Sequence, residues 1–190
     1  MNVCVYGASS NRIDARYITA TEALGETLAK AGHGLVYGAG GAGLMGAVAR
    51  GMTRGGGTVV GVVPSFLKVD GILYEHCDEM VFTDTMRERK QIMEERSDAF
   101  IVTPGGIGTY EEFFEMYTLK QLGRHQKPII LYNVDGYYDR ILDMLRFTVE
   151  EQFMQEMSLQ LITVADTPEQ VLEQLTVTAA PVDIKKTKFV

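Results

Sequence analysis

Short apolar runs alternate along the chain with longer stretches in which apolar residues recur at steps of three and four. The runs fall at residues 3–6, 35–37, 59–63, 80–82, 100–102, 129–132 and 161–164. Several are apolar at successive positions rather than at every second one, the pattern of strands covered by helices on both faces. Between them Ile13, Tyr17, Ala20, Leu24, Leu28 and Ala31 mark a first helix. A second is predicted from about Leu44, a third after Asp84, a fourth from Thr109, and a fifth from about Tyr138 into Phe153. Thr167-Pro168-Glu169 opens the last with a cap residue, a proline and an acidic first turn. This order predicts an α/β fold: a doubly wound parallel sheet flanked by helices. With no repeat, composition break or linker, residues 1–180 read as a single domain. Residues 181–190, with Ile184-Lys185-Lys186-Thr187-Lys188, read as a flexible tail. Sheets of this kind bind ligands beyond the carboxyl ends of their strands, and the unusual residues of this sequence lie in those loops.

Charge narrows the partners. Eighteen Lys and Arg stand against twenty-five Asp and Glu, a net charge of −7 over 190 residues. An acidic protein is poorly suited to nucleic acid or an anionic membrane surface. A small phosphorylated ligand stays compatible, because a few local donors outweigh a distant field. Two cysteines, Cys4 and Cys77, exclude a disulfide scaffold, and with His33, His76 and His125 they show no metal-ligand spacing. The histidines are read as non-catalytic, and neither a metal nor a cofactor is expected. No run approaches the roughly 18 apolar residues of a membrane span, and the first residues lack the basic segment of a signal peptide. A cytoplasmic location is the expectation.

Two glycine-rich loops carry candidate chemistry. In Gly38-Ala39-Gly40-Gly41-Ala42-Gly43, glycines 38, 40 and 43 satisfy G-x-G-x-x-G. A dinucleotide site also wants a carboxylate at the end of the following strand, where this chain has Pro64-Ser65-Phe66. Tight turning or close helix packing explains these glycines as well, and Gly40, Gly41 and Gly43 remain candidates for close approach to a ligand. The second loop, Thr103-Pro104-Gly105-Gly106-Ile107-Gly108-Thr109-Tyr110-Glu111-Glu112, is more specific. It leaves a strand and opens a helix whose Tyr110, Phe113, Phe114 and Tyr117 form a buried stripe. Glycines there expose backbone N–H groups, and the helix start adds a field favourable to an anion. A purely structural alternative is a capping box between Thr109 and Glu112. It leaves three glycines and Glu111 unexplained. Two carboxylates beside an anion site would repel a phosphate unless they face another part of the ligand.

Cations come from Met86-Arg87-Glu88-Arg89-Lys90-Gln91-Ile92-Met93, in which Met86, Arg89, Lys90 and Met93 share one helical stripe. The methionines turn that stripe toward protein, so Arg89 and Lys90 are partly buried and each needs an anion. The plainer alternative is solvated pairing, with Lys90 to Glu94 at i, i+4.

Met86-Arg87-Glu88-Arg89-Lys90 and Pro104-Gly105-Gly106-Ile107-Gly108-Thr109-Tyr110-Glu111-Glu112 together resemble the LONELY GUY family of cytokinin riboside 5′-monophosphate phosphoribohydrolases, whose members are often labelled lysine decarboxylases. The likeness extends through Gly38 to Gly46, Ser97-Asp98-Ala99-Phe100 and Leu131-Tyr132-Asn133-Val134-Asp135-Gly136-Tyr137-Tyr138, and fades after about Glu151. It implies a Rossmann-like homodimer that hydrolyses the N-glycosidic bond of N6-modified AMP to free base and ribose 5-phosphate. It also implies Arg89 and Glu112 as catalytic residues, with Lys90, Gly105, Gly106, Gly108, Thr109, Glu111 and Thr118 as substrate contacts; Met86 joins them as a candidate. Glu112 would stabilise the developing sugar cation or activate water, as paired carboxylates do in glycosidases. Glu111 would orient ribose hydroxyls, and Arg89 would position substrate and stabilise negative charge. A decarboxylase would need a Schiff-base lysine with its partner groups, and no lysine stands out as one. The rival from another class is a non-catalytic nucleotide or molybdenum-cofactor carrier, which would need the glycine loops but not Arg89 and Glu112.

Overall fold

The computed structural model describes residues 1–69 and 71–176. The tail 181–190, and the last four residues of the expected domain 1–180, lie outside the described residues.

Among the described residues seven strands form one parallel sheet: β1 (Asn2–Tyr6), β2 (Gly34–Tyr37), β3 (Val59–Pro64), β4 (Glu79–Thr83), β5 (Ala99–Val102), β6 (Ile129–Tyr132) and β7 (Thr163–Ala165), in the order β4-β3-β2-β1-β5-β6-β7. The α-helices among the described residues are α1 (Ala15–Lys30), α2 (Gly43–Arg54), α3 (Met86–Glu95), α4 (Ile107–Gln121), α5 (Asp139–Glu150), α6 (Glu156–Leu159) and α7 (Pro168–Leu175). Side chains of both parities are buried. Val3 and Val5 of β1 and Ala99 and Ile101 of β5 pack with Leu24, Leu28, Val48, Met52 and Val171 of α1, α2 and α7. Cys4, Tyr6, Phe100 and Val102 pack on the other face with Met93, Phe113, Met116 and Leu145 of α3, α4 and α5. Two covered faces account for strands without polar alternation. Each fully buried large side chain stabilises the fold by roughly 1.5–3 kcal/mol.

Strand order reverses between β1 and β5, which makes their carboxyl ends the topological switch point, where such sheets open a crevice. The loops after β1 and β5 therefore face each other.

Local chemistry sets most helix starts. Asp14, Thr85 and Thr167 each accept a hydrogen bond from an amide of the helix they open, at Arg16, Glu88 and Gln170. Most boundaries fall within a residue or two of the sequence expectation, and three of the differences have a clear physical origin or consequence. Helix α4 begins two residues early, on an extended Gly106 that has no side chain to cap it. Thr109 thus lies inside the first turn, and the Thr109–Glu112 capping box does not form. The reciprocal cap occurs instead at α3, where Glu88 also accepts from the Asp84 amide at 2.9 Å. Helix α5 stops at Glu150 rather than running into Phe153, because Gln152 turns to φ +63° and the Phe153 and Met154 amides fold back onto the Thr148 carbonyl. The last strand is shifted to Thr163–Ala165, opposite Ile130–Tyr132.

Candidate active site

At the switch point a cavity of about 600 Å³ opens between four loops. Gly7, Ala8, Ser9 and Ser10 follow β1, Gly38 and Gly40 follow β2, Val63 and Leu67 end β3 and begin its loop, and Gly106 to Thr109 open α4. Met86 and Arg89 of α3, Glu112 of α4, Met45, Ile72 and Leu73 complete the lining. A larger open groove of about 790 Å³ lies at the opposite, amino ends of the strands, around His33, Glu79, Arg96 and Asp98. It contains none of the loop glycines beyond β5, so the chemistry concentrates in the smaller cavity.

Arg89 and Glu112 meet there. Arg89 Nη1 donates to Glu112 Oε1 at 2.9 Å, and Arg89 Nε donates to the Val62 carbonyl at 3.1 Å. Their side chains are only 9% and 13% exposed. A nearly dry ion pair of this kind must be held by its surroundings, because desolvation opposes it. Val62 fixes one edge of the guanidinium; Gly38 supports another, since a Cβ built at Gly38 would lie 2.1 Å from Arg89 Nη2. Burial pushes the Glu112 carboxyl above the usual glutamate range, with the adjacent Arg89 opposing that shift. Glu112 Oε2 has no hydrogen-bond partner among the described residues.

The start of α4 supplies donors. Among the described residues nothing accepts from the amides of Gly105, Gly106, Ile107, Gly108 or Thr109. A helix start leaves such groups orphaned unless a cap, water or ligand takes them. A Cβ at Gly106 or Gly108 would meet nothing within 4 Å, so open space faces them. These donors, the field of a 15-residue helix and Arg89 make a locally positive recess in an acidic protein.

Other sequence candidates lie elsewhere. Gly105 lines a second, apolar cavity of about 230 Å³ with Pro104, Tyr17 and Tyr137, and this cavity shares Ala8, Ser10 and Gly106 with the first. Of the upstream glycines only Gly38 and Gly40 reach the main cavity. Gly41 donates to the Ile72 carbonyl at 2.8 Å, and Gly43 sits at φ +58°, with its Cβ position 2.4 Å from the Ala8 carbonyl oxygen. Both serve backbone packing. Met86 is 42% exposed and walls the cavity, rather than joining Met93 in the core. Lys90 is partly buried and meets anions, as the methionine stripe predicts: it pairs with Glu111 and with Glu115 Oε2 at 2.9 Å, and the alternative pairing with Glu94 does not form. Burial alone would lower the Lys90 ammonium, but the two carboxylates outweigh it and the pKa is raised. Lys90, Glu111 and the exposed Thr118 are outside the cavity lining, on a face that adjoins it through Arg89 and Glu112. His125 is buried against the Met116 carbonyl, and burial lowers its pKa to about 4.

The β1 loop, Leu67, Ile72 and Leu73 were absent from the sequence candidates. Gly7-Ala8-Ser9-Ser10 had a signal, a glycine directly after the first strand. Leu67 and Ile72 had none, because an apolar loop residue looks the same whether it covers a core or a ligand. Among the described residues no trio of His, Cys, Asp or Glu could hold a metal ion, and no helix is long and apolar enough to cross a membrane.

Residues 45–175 match the family model described as "Possible lysine decarboxylase". The chain is 41% identical over 173 residues to the rice (Oryza sativa subsp. japonica) protein named "Probable cytokinin riboside 5'-monophosphate phosphoribohydrolase LOGL6", covering 91% of this chain and 69% of that one. It is 38% identical to cytokinin riboside 5'-monophosphate phosphoribohydrolase LOG2 of Arabidopsis thaliana, covering 91% and 81%. Among solved structures, the molybdenum cofactor carrier protein of Chlamydomonas reinhardtii superposes with a TM-score of 0.69 at 21% identity, covering 92% of this chain and 96% of that one. At that identity the likeness is one of fold. No lysine lines the main cavity among the described residues, so the amine a Schiff-base decarboxylase requires is missing from it.

Proposed function

Because the chain belongs to the LOG family of cytokinin riboside 5′-monophosphate phosphoribohydrolases, we propose that it hydrolyses the N-glycosidic bond of N6-modified adenosine 5′-monophosphates, with AMP as the unmodified member. The observation that carries this reading is the Arg89–Glu112 pair, sharing one cavity with the unpartnered amides of α4. The C1′–N9 bond breaks with its electron pair leaving on the base. Water adds its oxygen to C1′, and a proton reaches the base, giving free base and ribose 5-phosphate. Glu112 Oε2 is the acceptor for the developing cation or the attacking water. Arg89, fixed by Val62 and Gly38, holds that carboxylate in place and offers its remaining N–H groups to negative charge. The amides of Gly106 and Gly108, with Thr109, receive the 5′-phosphate. Met45, Leu67, Ile72, Leu73 and Met86 give the rest of the cavity an apolar wall suited to an N6 substituent.

Self-association as a homodimer belongs to the same proposal. Lys90, Glu111, Glu115 and Thr118 lie beside the cavity on the face formed by α3 and α4, where in a symmetric pair they would approach the partner's substrate. A cytoplasmic location is also part of the reading. A carrier would need no arginine–carboxylate pair beneath the phosphate recess. The test is incubation with AMP, N6-isopentenyl-AMP and the matching nucleosides, followed by chromatography for free base. Base release from the monophosphates alone supports the proposal; tight binding without release moves the protein to the carrier class.

A further inference from the structure

The peptide joining Gly105 to Gly106 borders both cavities: Gly105 lines the smaller one, and Gly106 lines both. Tyr137 Oη donates to the Gly105 carbonyl at 2.6 Å from the side of the smaller cavity. Among the described residues no peptide bond is cis. In a trans peptide the carbonyl and the following N–H point in opposite directions. With its carbonyl turned to Tyr137, the peptide aims the Gly106 N–H away from that ring, toward the main cavity that Gly106 also lines.

A second tyrosine stands behind the first. Tyr110 Oη lies 3.2 Å from Tyr137 Oη. A phenol has one proton to donate, and that of Tyr137 goes to Gly105. Tyr110 therefore donates to Tyr137, giving a chain from Tyr110 through Tyr137 to the Gly105 carbonyl. Hydrogen bonds in series polarise one another, so an amide whose carbonyl is engaged becomes a stronger donor at its N–H. Tyr137 is itself held in place. The next residue, Tyr138, donates through its amide to Asn133 Oδ1 and through its hydroxyl to the Thr103 carbonyl, both at 2.6 Å. Tyr17 meets the Tyr137 ring edge-on at 5.7 Å.

We propose that Tyr137, backed by Tyr110, is a positioning residue for phosphate recognition: it orients and polarises the Gly105–Gly106 peptide so that the Gly106 N–H is presented to the anion. The inference rests on the reading of the α4 start as the phosphate recess. Neither tyrosine touches substrate; both act through the backbone.

The experiment compares Tyr137→Phe, Tyr110→Phe and the double variant with the parent protein. Titration calorimetry with AMP, ribose 5-phosphate and adenosine is run beside thermal melts. A neutral hydrogen bond is worth about a two- to tenfold change in affinity. Tyr137→Phe weakens AMP and ribose 5-phosphate by about that factor and leaves adenosine within about twofold. The KM for the nucleotide rises by more than kcat falls. Tyr110→Phe has a smaller effect, and the double variant is no worse than Tyr137→Phe, because Tyr110 works through Tyr137. Equal weakening of AMP and adenosine, or AMP affinity unchanged in Tyr137→Phe, overturns the proposal. Should Tyr137→Phe fail to fold, Tyr110→Phe carries the same comparison. Parent protein that binds AMP but releases no base removes the hydrolytic reading and leaves this one standing; parent protein that binds neither phosphate compound removes both.

Discussion

Replacing Glu112 with glutamine exchanges one carboxylate oxygen for an NH2 group at nearly constant shape. Arg89 decides which one. Its Nη1 donates to Oε1 at 2.9 Å, so the glutamine must keep an oxygen there, and its NH2 is forced into the place of Oε2. The cavity then presents a donor where the reaction needs an acceptor. A full negative charge about 4 Å from a developing cation, at an effective dielectric constant near 20, is worth about 4 kcal/mol. That corresponds to about a 10³-fold loss in turnover. The cost in stability is much smaller. The hydrogen bond from Arg89 survives with a neutral acceptor, Val62 still holds Nε, and the carboxylate's own desolvation is relieved. A loss of about 1–2 kcal/mol lowers the melting temperature by roughly 2–8 °C for a domain of this size. The assay pairs chromatographic release of adenine from AMP with calorimetric binding of AMP and a thermal melt. Glu112→Asp, which keeps the charge but withdraws it by one methylene, should retain measurable turnover. Glu112→Gln turning over within about tenfold of the parent would refute the argument, as would AMP affinity falling in step with turnover.

Gly38→Ala places a Cβ 2.1 Å from Arg89 Nη2 and displaces a guanidinium that Val62 and Glu112 hold; kcat/KM should fall about 10²-fold and the melting temperature should drop as the buried pair is disturbed, and an unaffected kcat/KM would show that the guanidinium has room to move. Glu112 also shapes the pH profile. Its carboxyl titrates above the usual range, so activity that needs the ionised form is lost on acidification at a higher pH than an ordinary glutamate would give, and kcat measured from pH 4 to 8 checks this. Lys120 is buried, and that burial lowers its pKa from 10.5 to about 8. Between those values the unfolded chain binds more protons than the folded one, so this group makes stability rise with pH across that window. Lys120→Met should stabilise the protein at pH 7 by up to about 3 kcal/mol and remove that rise; denaturant melts at pH 7 and pH 9.5 decide it.

The layers and the chemistry on offer are legible in the linear chain. Apolar runs at successive positions, such as Val3 to Tyr6 and Phe100 to Val102, are burial on both sides of a parallel sheet, and nothing else explains them as simply. The cap at Thr167 is written in residues adjacent in the chain, because capping is satisfied within one turn. The Gly105–Thr109 loop and the presence of Arg89 and Glu112 were legible for the same reason: each motif is local.

Which partner each charge takes depends on the fold. Thr109 and Glu112 have capping-box spacing, yet the extended Gly106 starts the helix earlier, and Arg89, 23 residues away in the chain, claims the carboxylate. Lys90 has Glu94 one turn on but finds Glu111 and Glu115 across the helix boundary. Which glycines face ligand and which face backbone also waited on the fold: Gly40 reaches the cavity, whereas Gly41 and Gly43 pack against the chain. So did the use of the β1 loop, which becomes a wall only because β1 lies beside β5 where the strand order reverses. Periodicity and capping are properties of neighbours in sequence; ion pairing and enclosure depend on distances through space, which the crossover connections set.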